Sequence, residues 1–307
     1  MDPNLENDTT DEFIVGVDRE VGKGFAVGAN YVWRRYSNFF WSDRQGITSA
    51  DWVATTFTPA ASTCPGADGL RMSAADCPTV TYYQPTFQQP TVVTLTNVPD
   101  FNRTFNGFEV MARKRMADKW MLNSSFSYNS TTVNFGDFQG SQPSTAAAAI
   151  TEDPTNREQR NGQQYDYLTA GSGIGNVYVN AKWMFKLSGL YQAPWGINLS
   201  TFYNARQGYP LERTVQTPTR LNGAGLVDVL LDPVGESRLP NFQNIDFHVD
   251  RAVRFGGVNL VPSMDIFNLA NANTIQAIRS RQNATNANQI QAIVAPRVIR
   301  FGLRVNW

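Results

Sequence analysis

The residues with the clearest capacity for chemistry lie toward the end of the sequence. The only histidine, His248, stands between Asp246 and Asp250 at alternating positions, and Ser263 and Asp265 follow beyond a Gly256-Gly257 pair. An imidazole among carboxylates is a candidate metal ligand or general base, and serine, histidine and aspartate together are the donor set of a hydrolase triad. A metal site of the usual kind gathers three or four converging ligands. No nucleophile elbow or other catalytic context accompanies Ser263. The alternation of Asp246, His248 and Asp250 reads instead as the polar face of a strand. No catalytic, cofactor-binding or metal-binding residue is assigned, and the chain reads as a non-enzyme. The stretch from Thr151-Glu152-Asp153 to Asp166 is acidic but matches no calcium-loop spacing, and no glycine-rich phosphate loop or paired-cysteine metal motif is present. Cys64 and Cys77, the two cysteines, share one Pro/Ser/Thr/Ala-rich segment. That suits a disulfide formed in an oxidising compartment, with two unrelated free thiols as the alternative.

The elements that position these residues are strands. From Val177 the odd positions Val177, Val179, Ala181, Trp183, Phe185, Leu187 and Tyr191 are apolar, while Asn180, Lys182, Lys186 and Ser188 between them are polar. Ile299, Phe301, Leu303, Val305 and Trp307 alternate in the same way with Arg300, Gly302, Arg304 and Asn306. This period of two predicts about nine strands, near 12–21, 24–41, 103–116, 119–133, 176–192, 196–207, 241–254, 258–268 and 297–307. Short joints at Gly22-Lys23-Gly24, Ala117-Asp118-Lys119, Ala193-Pro194-Trp195-Gly196 and Phe255-Gly256-Gly257 carry the residues that tight turns require. Long segments near 42–102, 134–175, 208–240 and 269–296 separate them. Strict alternation of short and long joints is the rhythm of an antiparallel transmembrane β-barrel with short periplasmic turns and long outer loops. If the first strand descends to a short turn, the ninth ends in the periplasm. Asp18, Glu109, Arg113, Lys182, Lys186 and Asp250 then face the lumen.

Composition agrees with this reading and excludes others. The mean hydropathy is −0.34, and no apolar run approaches the ~18 residues of a membrane helix, which excludes helical spans only. A barrel strand alternates lipid-facing and lumen-facing residues, so its average hydropathy is ordinary. The formal net charge of +0 gives no reason to expect nucleic acid as a partner. Trp120 and Trp195 beside short turns, and Trp307 at the last position, are expected at the periplasmic interface with outer-membrane lipid; Trp33 is expected where a strand leaves the outer leaflet. The acidic, polar start, MDPNLENDTTDEF, lacks the features of a secretory signal.

Several stretches carry a family resemblance. The tail APRVIRFGLRVNW resembles the C-terminal strand of TonB-dependent receptors of the Oar-like branch, and DEFIVGVDREVGKGFAVGANYVWRRYSNFFW, GLYQAPWGINLSTFYNARQGYP and MDIFNLANANT are similar to the same branch. In the resemblance, Arg300, Gly302, Val305 and Trp307 fill the places of the signal that outer-membrane barrels present to the barrel-assembly machinery. What it implies is uptake through a plugged barrel in the bacterial outer membrane, energised by an inner-membrane complex. A plug and an energy-coupling box are not found, and such barrels have about 22 strands. Residues 1–307 are therefore expected to be the C-terminal portion of an incomplete barrel, with N-terminal strands and plug missing. The alternative is a non-energised structural or surface-interaction barrel.

Overall fold

The computed structural model describes residues 2–22, 24–60, 63–64, 78–88, 92–98, 101–134, 153–164 and 181–307. Nine wall strands run through them: β1 Thr9–Gly22, β2 Phe25–Ser37, β3 Asn102–Ala117, β4 Trp120–Asn134, β5 Trp183–Ala193, β6 Ile197–Arg206, β7 Phe242–Arg251 continued as Val253–Phe255, β8 Val258–Phe267 and β9 Val298–Asn306. Each pairs antiparallel with the next in chain order, as one up-and-down sheet. The sheet does not close: among the described residues, β1 and β9 each pair on one side only. The fold is all-β, an incomplete barrel wall. A single helical turn, Arg157–Arg160, is the one α-helix described.

The short joints form for the expected reasons. Asp118 and Lys119 both have positive φ (51° and 69°) between the paired residues Ala117 and Trp120. Positive φ at both central residues is the requirement of the hairpin turn whose twist matches that of the flanking strands. Gly256 (φ 61°) lies between the paired Phe255 and Val258, and Trp195 and Gly196 (64° and 72°) close the joint from Ala193 to Ile197. The gap within β7 has a cause on β8. Asp250 pairs with Ser263 and Val253 with Leu260, so Pro262 stands opposite Arg251, and it has no N–H to give.

Three expected boundaries shift. β2 ends at Ser37 rather than 41, because Asn38 takes a left-handed conformation (φ 60°) and Phe40–Arg44 pairs elsewhere, with Val93–Asn97. β5 begins at Trp183 rather than 176; Lys182 precedes the strand, and 165–180 lie outside the described residues. β1 starts earlier, at Thr9.

Directly paired residues share a face, so the register sorts every wall side chain. One face carries Val15, Tyr31, Phe108 and Tyr128 in succession, then Phe126, Phe185, Ala205 and Gln243. It continues through Val249, Met264 and Phe301. The other face carries Asn30 with Glu109, Arg113 with Asn123, Ser125 with Lys186, and His248 with Asp265 and Arg300. One face is an apolar band and the other a polar wall. At the short-turn rim the apolar parity reaches Lys114. It folds back instead, donating from Nζ to the carbonyls of Ala117 (2.6 Å) and Trp120 (3.1 Å) beneath the Trp120 ring.

The long connections leave the opposite rim, and three of them contain short ladders of their own among the described residues: Trp52–Phe57 with Val80–Pro85, Thr214–Gln216 with Asp228–Leu230, and Ile275–Ile278 with Ile290–Ile293. Among the described residues, a buried apolar cluster lies here. Val80, Tyr82, Val215 and Val229 pack with Phe57, Val227 and Leu231.

Candidate functional site

The wall places the sequence-expected polar residues in one hydrogen-bonded row across β6–β9. Asn198 Nδ2 donates to Asp250 (2.8 Å); Asp250 and Asp265 meet the two ring nitrogens of His248 at 3.0 and 2.6 Å; and Arg300 Nε donates to Asp265 (3.0 Å). Both imidazole nitrogens are thus engaged by carboxylates, so neither can take a proton from Ser263. The arrangement is not a hydrolase triad. Ser263 lies instead against Gly302, its partner on β9. No group of three or more side chains suited to a metal is found among the described residues.

The richer construction is the loop layer. The segment 208–240 is its hub, touching the three others. Arg220, 8% exposed, donates to the Asp153 carboxylate, to the carbonyls of Tyr83 (3.2 Å) and Ala224 (3.1 Å), and lies over the Trp52 ring. Asn156 accepts from the Leu230 N–H (2.7 Å) and donates to the Asp228 carbonyl (2.8 Å). Arg160 pairs with Glu212 (3.3 Å), and Arg238 donates to Gln164. Asn283 brackets Gln216, donating to its carbonyl (2.7 Å) and accepting from its N–H (2.9 Å), while Arg281 pairs with Asp228 (3.3 Å). Within the hub, Arg213 makes a two-pronged bond to Asp232 (2.7 and 2.8 Å), which Ser237 joins. That guanidinium holds the Asp232 carboxyl below the usual carboxylate range and has its own pKa raised in return. Asp43, at the layer's margin, has its carboxyl pushed up by burial.

Two cavities open within this layer. One of about 340 Å³ lies among Arg160, Glu212, Asp228, Arg279, Arg281 and Gln291. A larger one, about 830 Å³, lies among Thr79, Glu158, Arg213, Asp232, Gln282 and Asn288. Their linings offer both donors and acceptors from different connections, so a polar ligand seated in either would contact several loops at once.

The acidic stretch is not a cation site in its described part. Asp153 is engaged by Arg220 and by the Thr155 N–H (2.8 Å), while 151–152 and 165–180 lie outside the described residues. Sequence reasoning found neither Arg220 nor Trp52, because nothing local marks a residue whose partners are tens of positions away. Among the expected aromatics, Trp33 and Trp120 lie on the apolar face, Trp195 occupies a turn, and Trp307 follows β9. Tyr36, three residues on from Trp33, lies on the polar face beneath the Arg103 guanidinium (4.6 Å), which also covers Phe39. Arg300, Gly302 and Val305 all lie on β9, the first two on its polar face. Cys64 is 1% exposed and is not a free thiol; Cys77 lies outside the described residues.

No family model and no curated protein matches the chain. Among solved structures it is similar to the outer membrane transporter YddB from Escherichia coli, with 13% identity over 98% of this chain and 33% of that one, at a TM-score of 0.48. It is also similar to the FrpB iron transporter from Neisseria meningitidis (11%, 98% and 31%, 0.47) and to the ferripyoverdine receptor of Pseudomonas aeruginosa (9%, 97% and 27%, 0.48). The chain spans a third or less of the length of these structures. With TM-scores this low, the strand register itself carries the argument for the fold.

Proposed function

We propose that residues 1–307 form the C-terminal wall of an outer-membrane receptor barrel of the TonB-dependent kind, Oar-like in its branch, and that the loop layer takes the receptor's ligand. The observation that carries this reading is the wall itself. Nine antiparallel strands present one continuous apolar face and one polar face, with every long connection leaving the same rim. A sheet wet on both sides has no use for an apolar band, whereas a lipid-facing wall with an aqueous lumen needs one. In this reading further strands and a plug complete the barrel, an inner-membrane complex energises it, and the barrel-assembly machinery receives β9 through Arg300, Gly302, Val305 and Trp307. Trp120, Trp195 and Trp307 anchor the periplasmic interface and Trp33 the outer one. Cys64 and Cys77 are bonded to each other in the first outer loop.

One labelling experiment addresses these placements together. Single cysteines replace Thr219 or Asn286 in the long connections, or Lys119 or Gly257 in the short turns, in cells that make the native protein. A membrane-impermeant maleimide is expected to label the loop positions on intact cells and the turn positions only after lysis, with Cys64 and Cys77 unlabelled until reduction. Labelling of the turns on intact cells would overturn the topology, and unreduced labelling of Cys64 and Cys77 would overturn the disulfide. Ligand uptake that survives collapse of the proton gradient would favour a non-energised barrel.

A further inference from the structure

The chain's formal net charge is +0, but the charges are not evenly spread over the wall. At the short-turn rim Arg19, Arg113, Arg115, Lys119, Arg251 and Arg254 gather within a few residues of a turn, and all six are exposed. Asp18, Glu20, Asp118 and Asp250 are the carboxylates at that level, and Asp250 is engaged by Asn198 and His248. Among the described residues the ion pairs lie elsewhere, in the loop layer and on the polar face of the wall, and none of these six cations takes part in one.

The register divides the six. Arg113 and Arg254 share the polar face with Asn123 and Asn259. Arg19 is paired with Val27 and Arg251 with Ile197, both on the apolar face. Lys119 occupies the turn after β3. Arg115 lies beside Gly24, its N–H bonded to the Gly24 carbonyl (2.9 Å), and shares the polar-face parity of Arg113. The rings of Trp195 and Phe255, each 79% exposed, sit at the same level. Amphipathic rings mark the headgroup depth of a membrane. A guanidinium on the apolar side at that depth meets phosphate or water, since its alkyl stem lies along the band and its head reaches the interface.

We propose that Arg19, Lys119 and Arg251 form a binding surface for the phosphate headgroups of anionic phospholipids in the leaflet that the short turns face. The proposal rests on the membrane reading above and adds the class of lipid. Each unpaired cation near a charged leaflet favours anionic over zwitterionic lipid by roughly fivefold. The carboxylates at the rim moderate the sum without cancelling it.

The test uses the native protein, assembled in its barrel and purified in detergent, with equimolar phosphatidylglycerol and phosphatidylcholine added. Native mass spectrometry counts the lipids retained. The wild type is expected to retain phosphatidylglycerol preferentially, and R19Q/K119Q/R251Q to lose that preference. R19K/R251K is expected to keep it, and R279Q, which removes a loop-layer charge, to leave it unchanged. Heat-dependent migration on gels confirms that each variant is folded. If the triple variant does not fold, K119Q alone, in an exposed turn, is expected to weaken the preference by roughly fivefold. Equal retention of both lipids by the wild type, or unchanged preference in the folded triple variant or in K119Q, would overturn the proposal. Retention of neither lipid would instead remove the membrane reading beneath it.

Discussion

Gly302 lies opposite Ser263 across β8 and β9, and a Cβ at 302 would come within 2.6 Å of the serine Oγ. The glycine therefore has a packing reason to be there, separate from its place in the proposed assembly signal. Gly302→Ala is expected to lower the unfolding free energy of the refolded protein, read by urea titration, by about 1 kcal/mol, at the low end for overpacking because a hydroxyl can rotate. Ser263→Ala in the same chain is expected to restore it. Trp307→Ala acts differently if β9 is recognised before folding: insertion in cells fails while folding into lipid in vitro is near normal. If the double variant regains stability but still does not insert, Gly302 serves both roles. If Gly302→Ala is not rescued by Ser263→Ala, the packing account is wrong. The aromatic chain end and its alternation were readable from residues 299–307 alone. The Ser263 contact was not, because it depends on a register between strands joined by thirty residues of connection.

At the scale of the element, the facing of β5 is set by its neighbours on both sides. Phe185 is paired with Phe126 and Ala205 on the apolar face, its ring 5.9 Å from that of Tyr203; Lys186 is paired with Ser125 and Asn204 on the polar one. Phe185→Arg places a charge against lipid two residues from the loop-rim end of β5 and is expected to cost about 1 kcal/mol, less than at the membrane midplane. Lys186→Glu changes only the potential of a wet wall and is expected to leave stability nearly unchanged. Urea titration of the reconstituted protein compares the two, and the reverse order would mean that the register is displaced by one residue. The alternation of β5 and its short turn to β6 were legible in sequence because both are local signals. The true start of the strand was not: the alternation of Val177, Val179 and Ala181 continues into a segment that the described strand does not include. Ladders such as Trp52–Phe57 with Val80–Pro85 were equally hidden, being short and joined across long connections.

For the whole molecule, stability divides between a wall held by main-chain ladders and a loop layer held by side chains that cross between connections. Arg220 and Asp153 are both nearly buried and join 208–240 to 153–164. Asp153→Ala leaves that guanidinium without its carboxylate, a change that costs about 3–5 kcal/mol where the charge stays buried. The cost is expected to fall on the layer alone. Trypsin is expected to cut within 208–240 in the variant and not in the wild type, with heat-dependent gel migration of the barrel unaltered. Loss of that migration would show that wall and layer fold as one unit. The sequence was informative about which segments lie at which rim, because length and turn chemistry are one-dimensional signals. That the four long segments interlock was not visible, since Arg220, Tyr83 and Asp153 share no spacing.

The two free margins of the sheet, β1 and β9, also determine what the sheet can seal against. Both run from the loop rim toward the turn rim, so their polarities are alike. Brought together, whether within one copy or between two copies inserted the same way up, they could only pair parallel. Antiparallel sealing at both margins requires an intervening set of strands that starts and ends in the opposite sense, and such a set has an odd number of members. The nine strands thus behave like a zip with two identical halves, which an antiparallel ladder can join only through a complement of the right parity.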